Sequence, residues 1–400
     1  MTRQNSPHPC TTAARHGVDS DPAHGAVMPP LYLSSNYSFD GLDGKRKYDY
    51  TRSGNPTRDV LGETLAQLEG GCGAVVTATG MAAVDLALSS LEPGDLLIAP
   101  HDLYGGTHRL LCARARRGHF DVQFVNQNDR QALDAAFALN PKLILIETPS
   151  NPLMRVVDVA DICARARAVG CKSAVDNTFL SPALQNPIAL GADLVIHSTT
   201  KYINGHSDVV GGCVVARDAA DLEQLAWWAN CLGVTGSPFD AYLTLRGVRT
   251  LFARVERQQA TASRVAEWLE AHPAVKVVHY PGLKSHPGHA VAARQQKGFG
   301  AMLSFELADI DAVRALVDSL DIFTLAESLG GVESLIAHPT LMTHAAMTPE
   351  ARETAGITDG LVRLSIGLEH VDDLLNDLER ALAAVLVLAD EADAPAVQAA

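Results

Sequence analysis

The 400-residue chain is short of positive charge: 32 Lys and Arg stand against 46 Asp and Glu, for a formal net charge of −14. Binding a nucleic-acid backbone relies on clustered cations that release counterions, so this balance argues against such a partner. The basic triplet Lys45-Arg46-Lys47 reads as a solvated loop. Long apolar runs are also missing. The longest near the C-terminus, Ala381 to Ala389, falls far short of the ~20 residues a spanning helix needs and fits the buried side of a terminal helix. The seven cysteines, at 10, 72, 112, 163, 171, 213 and 231, lack the paired spacings of a zinc site or a small disulfide framework. Reduced thiols are expected. The first thirty residues combine no basic start with an apolar core, so secretion is not implied and a cytoplasmic, membrane-free protein is expected.

Several chemistries leave no signature. There is no Walker-type phosphate loop, no complete dinucleotide glycine fingerprint, no His-Glu-x-x-His and no serine-hydrolase elbow. A nicotinamide dehydrogenase therefore lacks its glycine spacing. Histidines 101, 197, 206, 338 and 344 are not spaced as metal ligands, and no metal is expected.

What is present is an alternation. From Ala74 to about Arg217, short β-branched runs alternate with helix-length amphipathic ones, which predicts an α/β fold on a mainly parallel sheet. Strands are expected at Val75–Thr77, Leu96–Pro100, Asp121–Val125, Leu143–Glu147, Ser173–Val175, Leu194–Ile196 and Cys213–Val215, with a helix over Met81–Leu91. Beyond about Glu256 a long helix, Val255–Ala271, precedes strands at Val275–Tyr280, Ala301–Leu307 and Val362–Ile366, a smaller α+β domain. Residues 1 to about 25 read as a loosely ordered arm, the chain to about residue 60 as irregular, and the alanine-rich tail after Asp390 as low in complexity. The domain expectation is 1–60 arm, 61–256 large domain and 257–400 C-terminal domain.

In open α/β sheets ligands gather beyond the carboxyl ends of the strands. Glu147 to Asn151, Asp176-Asn177 and Ser198 to Lys201 all sit at such ends. Lys201, after a buried strand and a run of hydroxyls, reads as a Schiff-base lysine, and the set suggests pyridoxal phosphate. That cofactor needs an amine, an acid on the pyridinium nitrogen, a phosphate cradle and a cation for the substrate carboxylate. Asp176 is the candidate acid, with an ordinary turn or N-cap aspartate as the alternative. Thr79-Gly80-Met81-Ala82 marks a strand-to-helix turn whose Gly80 and Met81 amides could face phosphate, joined by the hydroxyls of Ser198 and Thr200. Either loop alone would also suit a plain turn. Tyr104 could lie against the cofactor ring or be a half-buried tyrosine. Arg363 is a charge in an apolar strand pattern and needs a partner, which a substrate carboxylate would supply.

Longer motifs carry a resemblance. Tyr48-Asp49-Tyr50-Thr51-Arg52-Ser53-Gly54-Asn55-Pro56-Thr57-Arg58, Pro100 to Gly106, Val175 to Pro182, Ser198 to Asp208 and Leu325 to Leu335 are similar to those of the cystathionine γ-synthase branch of the Cys/Met-metabolism pyridoxal phosphate enzymes, over about Gly25 to Ala381. The resemblance implies the fold type I, aspartate-aminotransferase-like architecture. It also implies a homotetramer, a dimer of dimers with shared active sites, in which Tyr50 and Arg52 reach the phosphate of a neighbouring subunit. By the same resemblance Asn151 lies near the cofactor ring and substrate carboxylate, and Ser328 near the lysine. Arg109 is then a candidate for the distal acyl carboxylate, while Asp49 and Glu327 face the incoming amino acid. The implied reaction is γ-replacement, O-succinyl-L-homoserine plus L-cysteine giving L-cystathionine and succinate. One departure bears on it, and one residue counts against a further relative. Ser53 stands where some γ-synthases have a second arginine and γ-lyases commonly have serine, which keeps cystathionine γ-lyase and other acyl donors in view. Gly106 stands where methionine γ-lyase typically has cysteine. A non-catalytic regulatory protein on the same fold is disfavoured because Lys201, Asp176, Tyr104 and Arg363 are all retained.

Overall fold

The structure, a computed structural model, describes residues 7–345 and 347–393. These fall into two compact units. The first holds residues 7–148, 157–255 and 295–297, and the second 149–156, 256–294, 298–345 and 347–393.

The first unit is built on seven strands: β1 Gly73–Thr77, β2 Leu96–Pro100, β3 Asp121–Val125, β4 Leu143–Glu147, β5 Lys172–Asp176, β6 Leu194–His197 and β7 Gly212–Ala216. They pair in the order β1-β7-β6-β5-β4-β2-β3, with only β7 running against its neighbours. Sequence and sheet agree because both faces are covered, which turns the usual alternation into continuous apolar runs. In β4, Leu143 and Leu145 join a cluster with Ala83, Leu86 and Leu111. Ile144 and Ile146 join another with Leu133 and Ile162. Burying one such side chain fully is worth about 1.5–3 kcal/mol, so both layers hold the sheet.

The N-terminal region is more ordered than its composition suggested. The helix Pro9–Arg15 forms inside the expected loose arm and buries Ala13 with Leu61 and Leu65. One buried alanine per two turns is too weak a pattern to read from sequence. The helix Pro56–Glu69 begins within the segment expected to be irregular. Asn55 accepts the amides of Thr57 and Arg58 at 3.0 and 3.2 Å, Pro56 occupies the first turn, and Gly70 closes the helix in the left-handed region. The helix expected over Met81–Leu91 runs Gly80–Ala87, and the one expected over Val255–Ala271 runs Leu251–Glu270.

The second unit carries β8 Val277–His279, β9 Met302–Glu306, β10 Thr324–Leu325, β11 Leu335–Ala337 and β12 Leu361–Ser365 in the order β10-β11-β12-β9-β8. All pairings are antiparallel except β10 with β11. The two short strands β10 and β11 escaped the sequence pattern because two or three residues define no period. The helix Val371–Asp393 buries Leu374, Leu378, Ala381, Leu382 and Val385, whereas Val387 and Leu388 are exposed, so the apolar run noted above wraps around the helix and only part of it is the buried side. Residues 394–400 of the alanine-rich tail lie outside the described residues.

Among the described residues no helix is long and apolar enough to cross a membrane, and no group of His, Cys, Asp or Glu could hold a metal ion. All seven cysteines are free thiols. The basic triplet is exposed and paired, Lys45 with Asp49, Arg46 with Asp40 and Lys47 with Asp59.

Candidate active site

Strand register brings the first group of candidate residues together. Glu147 at the end of β4 is paired with Asp176 at the end of β5, and Asp176 in turn with Ile196 of β6, so three strand ends align. Asp176 is half-buried, and its Oδ1 accepts the amide of Thr178 at 3.0 Å. Burial pushes its carboxyl up from the ordinary aspartate range, while the Thr178 hydrogen bonds and nearby His197 oppose that rise. A cation placed against it would relieve the same penalty. Behind it, the buried Asn177 donates to Glu69 at 2.8 Å and to the Gln185 carbonyl at 2.9 Å, and His197 Nε2 lies 2.7 Å from Glu69 Oε1. These fixed partners leave the floor of the strand ends little freedom.

Beyond β6 the chain turns through Ser198 and Thr199 to Lys201. The Ser198 amide donates to Thr178 Oγ1 at 2.9 Å, and Lys201 N to the Ser198 carbonyl at 3.3 Å. Gly80 opens the helix Gly80–Ala87, whose N-cap Thr79 accepts the Ala82 amide at 2.9 Å. A Cβ on Gly80 would come within 2.7 Å of Ser198 Cβ and 2.8 Å of its Oγ, so only glycine lets the two loops meet. The first-turn amides of Gly80 and Met81 thus lie beside a serine hydroxyl, an anion-binding combination. Thr200 is occupied differently. Its hydroxyl oxygen accepts the Gly211 amide at 3.0 Å and donates to the Gly211 carbonyl at 3.2 Å, which commits its proton to the main chain.

Tyr104 caps the helix Gly105–Arg116. Its amide donates to Glu147 Oε2 at 3.0 Å, and the ring is 43% exposed. The ring folds over Gly106, where a Cβ would stand 2.5 Å from Tyr104 Cε1. Glycine at 106 is therefore what allows this tyrosine pose. Glu147 was part of the strand-end pattern, but its hold on Tyr104 depends on a contact 43 residues apart. Arg109 is exposed one turn further along the same helix.

The arm residues sit on the surface of this unit. Tyr50 is exposed, and Arg52 lies over its ring at 5.8 Å while donating to Asn230 Oδ1 at 3.1 Å. The half-buried Asp49 meets Lys45 at 2.8 Å, accepts the Tyr50 amide at 2.7 Å, and lies 2.8 Å from Ser53 Oγ. Lys45, with Ser53 and the amide, holds its carboxyl down at about 2. Ser53, which also donates to the Tyr50 carbonyl at 2.7 Å, therefore ties down this loop. The buried Arg58 donates to the carbonyls of Gly236 at 3.1 Å, Thr51 at 2.5 Å and Arg52 at 3.2 Å, a clamp that local sequence did not reveal.

In the second unit, Arg363 of β12 is 3% exposed. Its Nη1 donates to Asn151 Oδ1 at 3.0 Å and its Nη2 to the Ser328 carbonyl at 2.8 Å. The partners that its buried charge demanded thus include two other candidate residues. Ser328 has φ 98°, a conformation rare for a non-glycine residue, and this turns its carbonyl toward the arginine. Asn151 is buried, and its carbonyl accepts from His344 Nε2 at 3.2 Å. Glu327 is exposed.

A mainly parallel α/β sheet with an aspartate, a hydroxyl turn and a lysine at its strand ends marks the class: a pyridoxal-phosphate-dependent enzyme of fold type I. The chain belongs to the Cys/Met metabolism PLP-dependent enzyme family, whose model matches residues 10–383. It is 58% identical over 381 residues to cystathionine gamma-synthase of Escherichia coli, covering 95% of this chain and 98% of the relative. It is 46% identical over 372 residues to cystathionine beta-lyase of Lactococcus lactis, covering 93% and 98%. A solved structure of cystathionine gamma synthase from Xanthomonas oryzae pv. oryzae, in complex with aminoacrylate and cysteine, superposes with a TM-score of 0.95 at 62% identity, covering 96% of this chain and 99% of that one.

The residues present fit the cofactor. The Gly80 to Ser198 approach leaves backbone amides and a hydroxyl for a phosphate, and the burial penalty at Asp176 suits a cationic ring nitrogen.

Proposed function

We propose that the chain catalyses γ-replacement, joining O-succinyl-L-homoserine and L-cysteine into L-cystathionine with release of succinate. The observation that carries this reading is the 58% identity to a cystathionine gamma-synthase along nearly the whole of both chains. Bound pyridoxal phosphate supplies the electron sink for charge developed at the substrate Cα. Lys201 would hold the cofactor and, once the substrate amine has taken its place, would move protons at Cα and Cβ. Asp176 would keep the ring nitrogen protonated. Gly80, Met81 and Ser198 would hold the phosphate, and Tyr104 would face the ring. Arg363 takes the substrate carboxylate, with Asn151 and Ser328 orienting it. Arg109 serves the distal acyl carboxylate, and Asp49 and Glu327 the incoming cysteine.

Tyr50 and Arg52 complete the phosphate site of a neighbouring subunit in a homotetramer. Their exposure here supports that role. The protein works in the cytoplasm, in keeping with its free thiols and acidic charge.

The test is product analysis of holoenzyme given O-succinyl-L-homoserine with and without L-cysteine, with L-cystathionine alone run in parallel. Cysteine-dependent cystathionine and succinate should dominate. Negligible synthesis with rapid conversion of cystathionine to cysteine and 2-oxobutyrate would overturn the reading in favour of a γ-lyase.

A further inference from the structure

Arg254 is 4% exposed in the first unit, and among the described residues every hydrogen-bond partner of its guanidinium is neutral. Nε donates to Thr250 Oγ1 at 3.0 Å, Nη1 to the Tyr202 carbonyl at 2.9 Å, and Nη2 to the carbonyls of Gly247 at 2.9 Å and Ile203 at 3.4 Å. Tyr202 and Ile203 are the two residues after Lys201. The turn they belong to is closed by Asn204 N to the Thr199 carbonyl at 2.9 Å and Gly205 N to the Lys201 carbonyl at 2.8 Å. Its last carbonyls point out of the turn with no amide ahead of them, the position where a cation is most favourable.

The fit is tight. Gly205 has φ +74°, and a Cβ there would stand 2.0 Å from Arg254 Nη1, so the backbone closes directly on the guanidinium. Burial lowers the Arg254 pKa to about 10, so holding the charge here is costly. A planar fork with several donors is suited to fixing several carbonyls in one geometry, which a lysine cannot reproduce.

We infer that Arg254 is a positioning residue: by gripping the Tyr202 and Ile203 carbonyls it fixes the turn that carries Lys201 and so aims that lysine at the cofactor. The inference rests on the assignment of Lys201 proposed above. Loss of the grip lets the turn shift, changing the orientation of the lysine-bound cofactor and the ease with which it leaves.

The experiment compares holoenzymes of Arg254→Gln, Arg254→Lys and Thr250→Val, which removes one anchor of the guanidinium but leaves the charge. Leu133→Ala, a core cut in the helix Arg130–Phe137, serves as the stability control. The readouts are the visible circular dichroism of lysine-bound cofactor at full occupancy, the rate of cofactor loss, and the thermal midpoint. Arg254→Gln should lower the visible dichroism and speed cofactor loss about tenfold, as expected for losing several charge-assisted hydrogen bonds. Thr250→Val should change both in the same direction by less, Arg254→Lys should recover only part, and Leu133→Ala should lower the thermal midpoint alone. If Arg254→Gln fails to fold, the decision falls to Thr250→Val. Wild-type dichroism and cofactor loss in the foldable variants would overturn the inference, as would equal changes in Leu133→Ala. Separately, Lys201→Ala retaining a lysine-bound chromophore would sink the lysine assignment itself, a distinct failure.

Discussion

Asp176 and Asp49 are both carboxylates with a proposed role, and the two regions around them are built on opposite principles. Asp176 stands on the floor of the strand ends, fixed by register to β4 and β6 and pushed up in pKa by burial. Asp49 stands on the arm, fixed by Lys45, Ser53 and an amide, and held down at about 2. The floor stores an electrostatic cost that a cofactor can relieve, whereas the arm satisfies its charge within the chain. Floor residues should therefore respond strongly to substitution and the arm weakly, except where it acts on a neighbour.

The largest effect belongs to Lys201→Ala. Activity should fall by about 10³-fold or more, the upper part of the range for a lost proton-transfer group, with loss of the lysine-bound visible chromophore. Turnover and absorbance spectra check both. Asp176→Asn comes next and should split two properties. Cofactor affinity should fall about tenfold or more for the lost charge pair. The apoenzyme should instead gain stability near neutral pH. The sign follows from the raised pKa: between the unfolded and folded values the native state binds more protons, so stability declines as pH rises through that window. An Asn side chain carries no such cost. Thermal melts of apo and holo forms from acid to neutral pH would show the split, and an apo variant less stable than wild type at neutral pH would remove the contrast between floor and arm.

The arm's dependence on a neighbour is sharpened by mixing. Arg52→Ala chains and Lys201→Ala chains, each inactive or nearly so alone, should recover activity after subunit exchange, because one hybrid site then lacks both lesions. No recovery after proven mixing would leave Arg52 as a surface residue only. The smallest effect is that of Asp49→Asn on folding. Its depressed pKa means that its contribution is present above the ordinary aspartate value of 3.8 and is lost as pH falls through about 2. Since Lys45 is exposed and Asp49 only half-buried, solvent screens the pair, so the change in thermal midpoint should be slight and should vanish at high salt.

The same contrast separates what could be read from the sequence. The floor was legible because covered parallel strands write continuous apolar runs, and their ends are marked by the first polar residue, as at Glu147, Asp176 and His197. The packing of Gly80 on Ser198 was not, since it joins segments 118 residues apart, nor was the binding of Arg363 to Asn151, 212 residues away. At Thr200 the hydroxyl expected near a phosphate also bonds the amide and carbonyl of Gly211, a contact that no local spacing announced. The roles given to Tyr50, Arg52, Asp49 and Glu327 came from the resemblance, because irregular or very short segments carry no period. The helix Pro9–Arg15 went unread for the same reason.

Reduction of the holoenzyme with borohydride, followed by digestion and mass spectrometry of the pyridoxyl-labelled peptide, tests the central assignment most directly. The label should sit on Lys201 alone. A label on any of the other lysines, with Lys201 unmodified, would contradict the account.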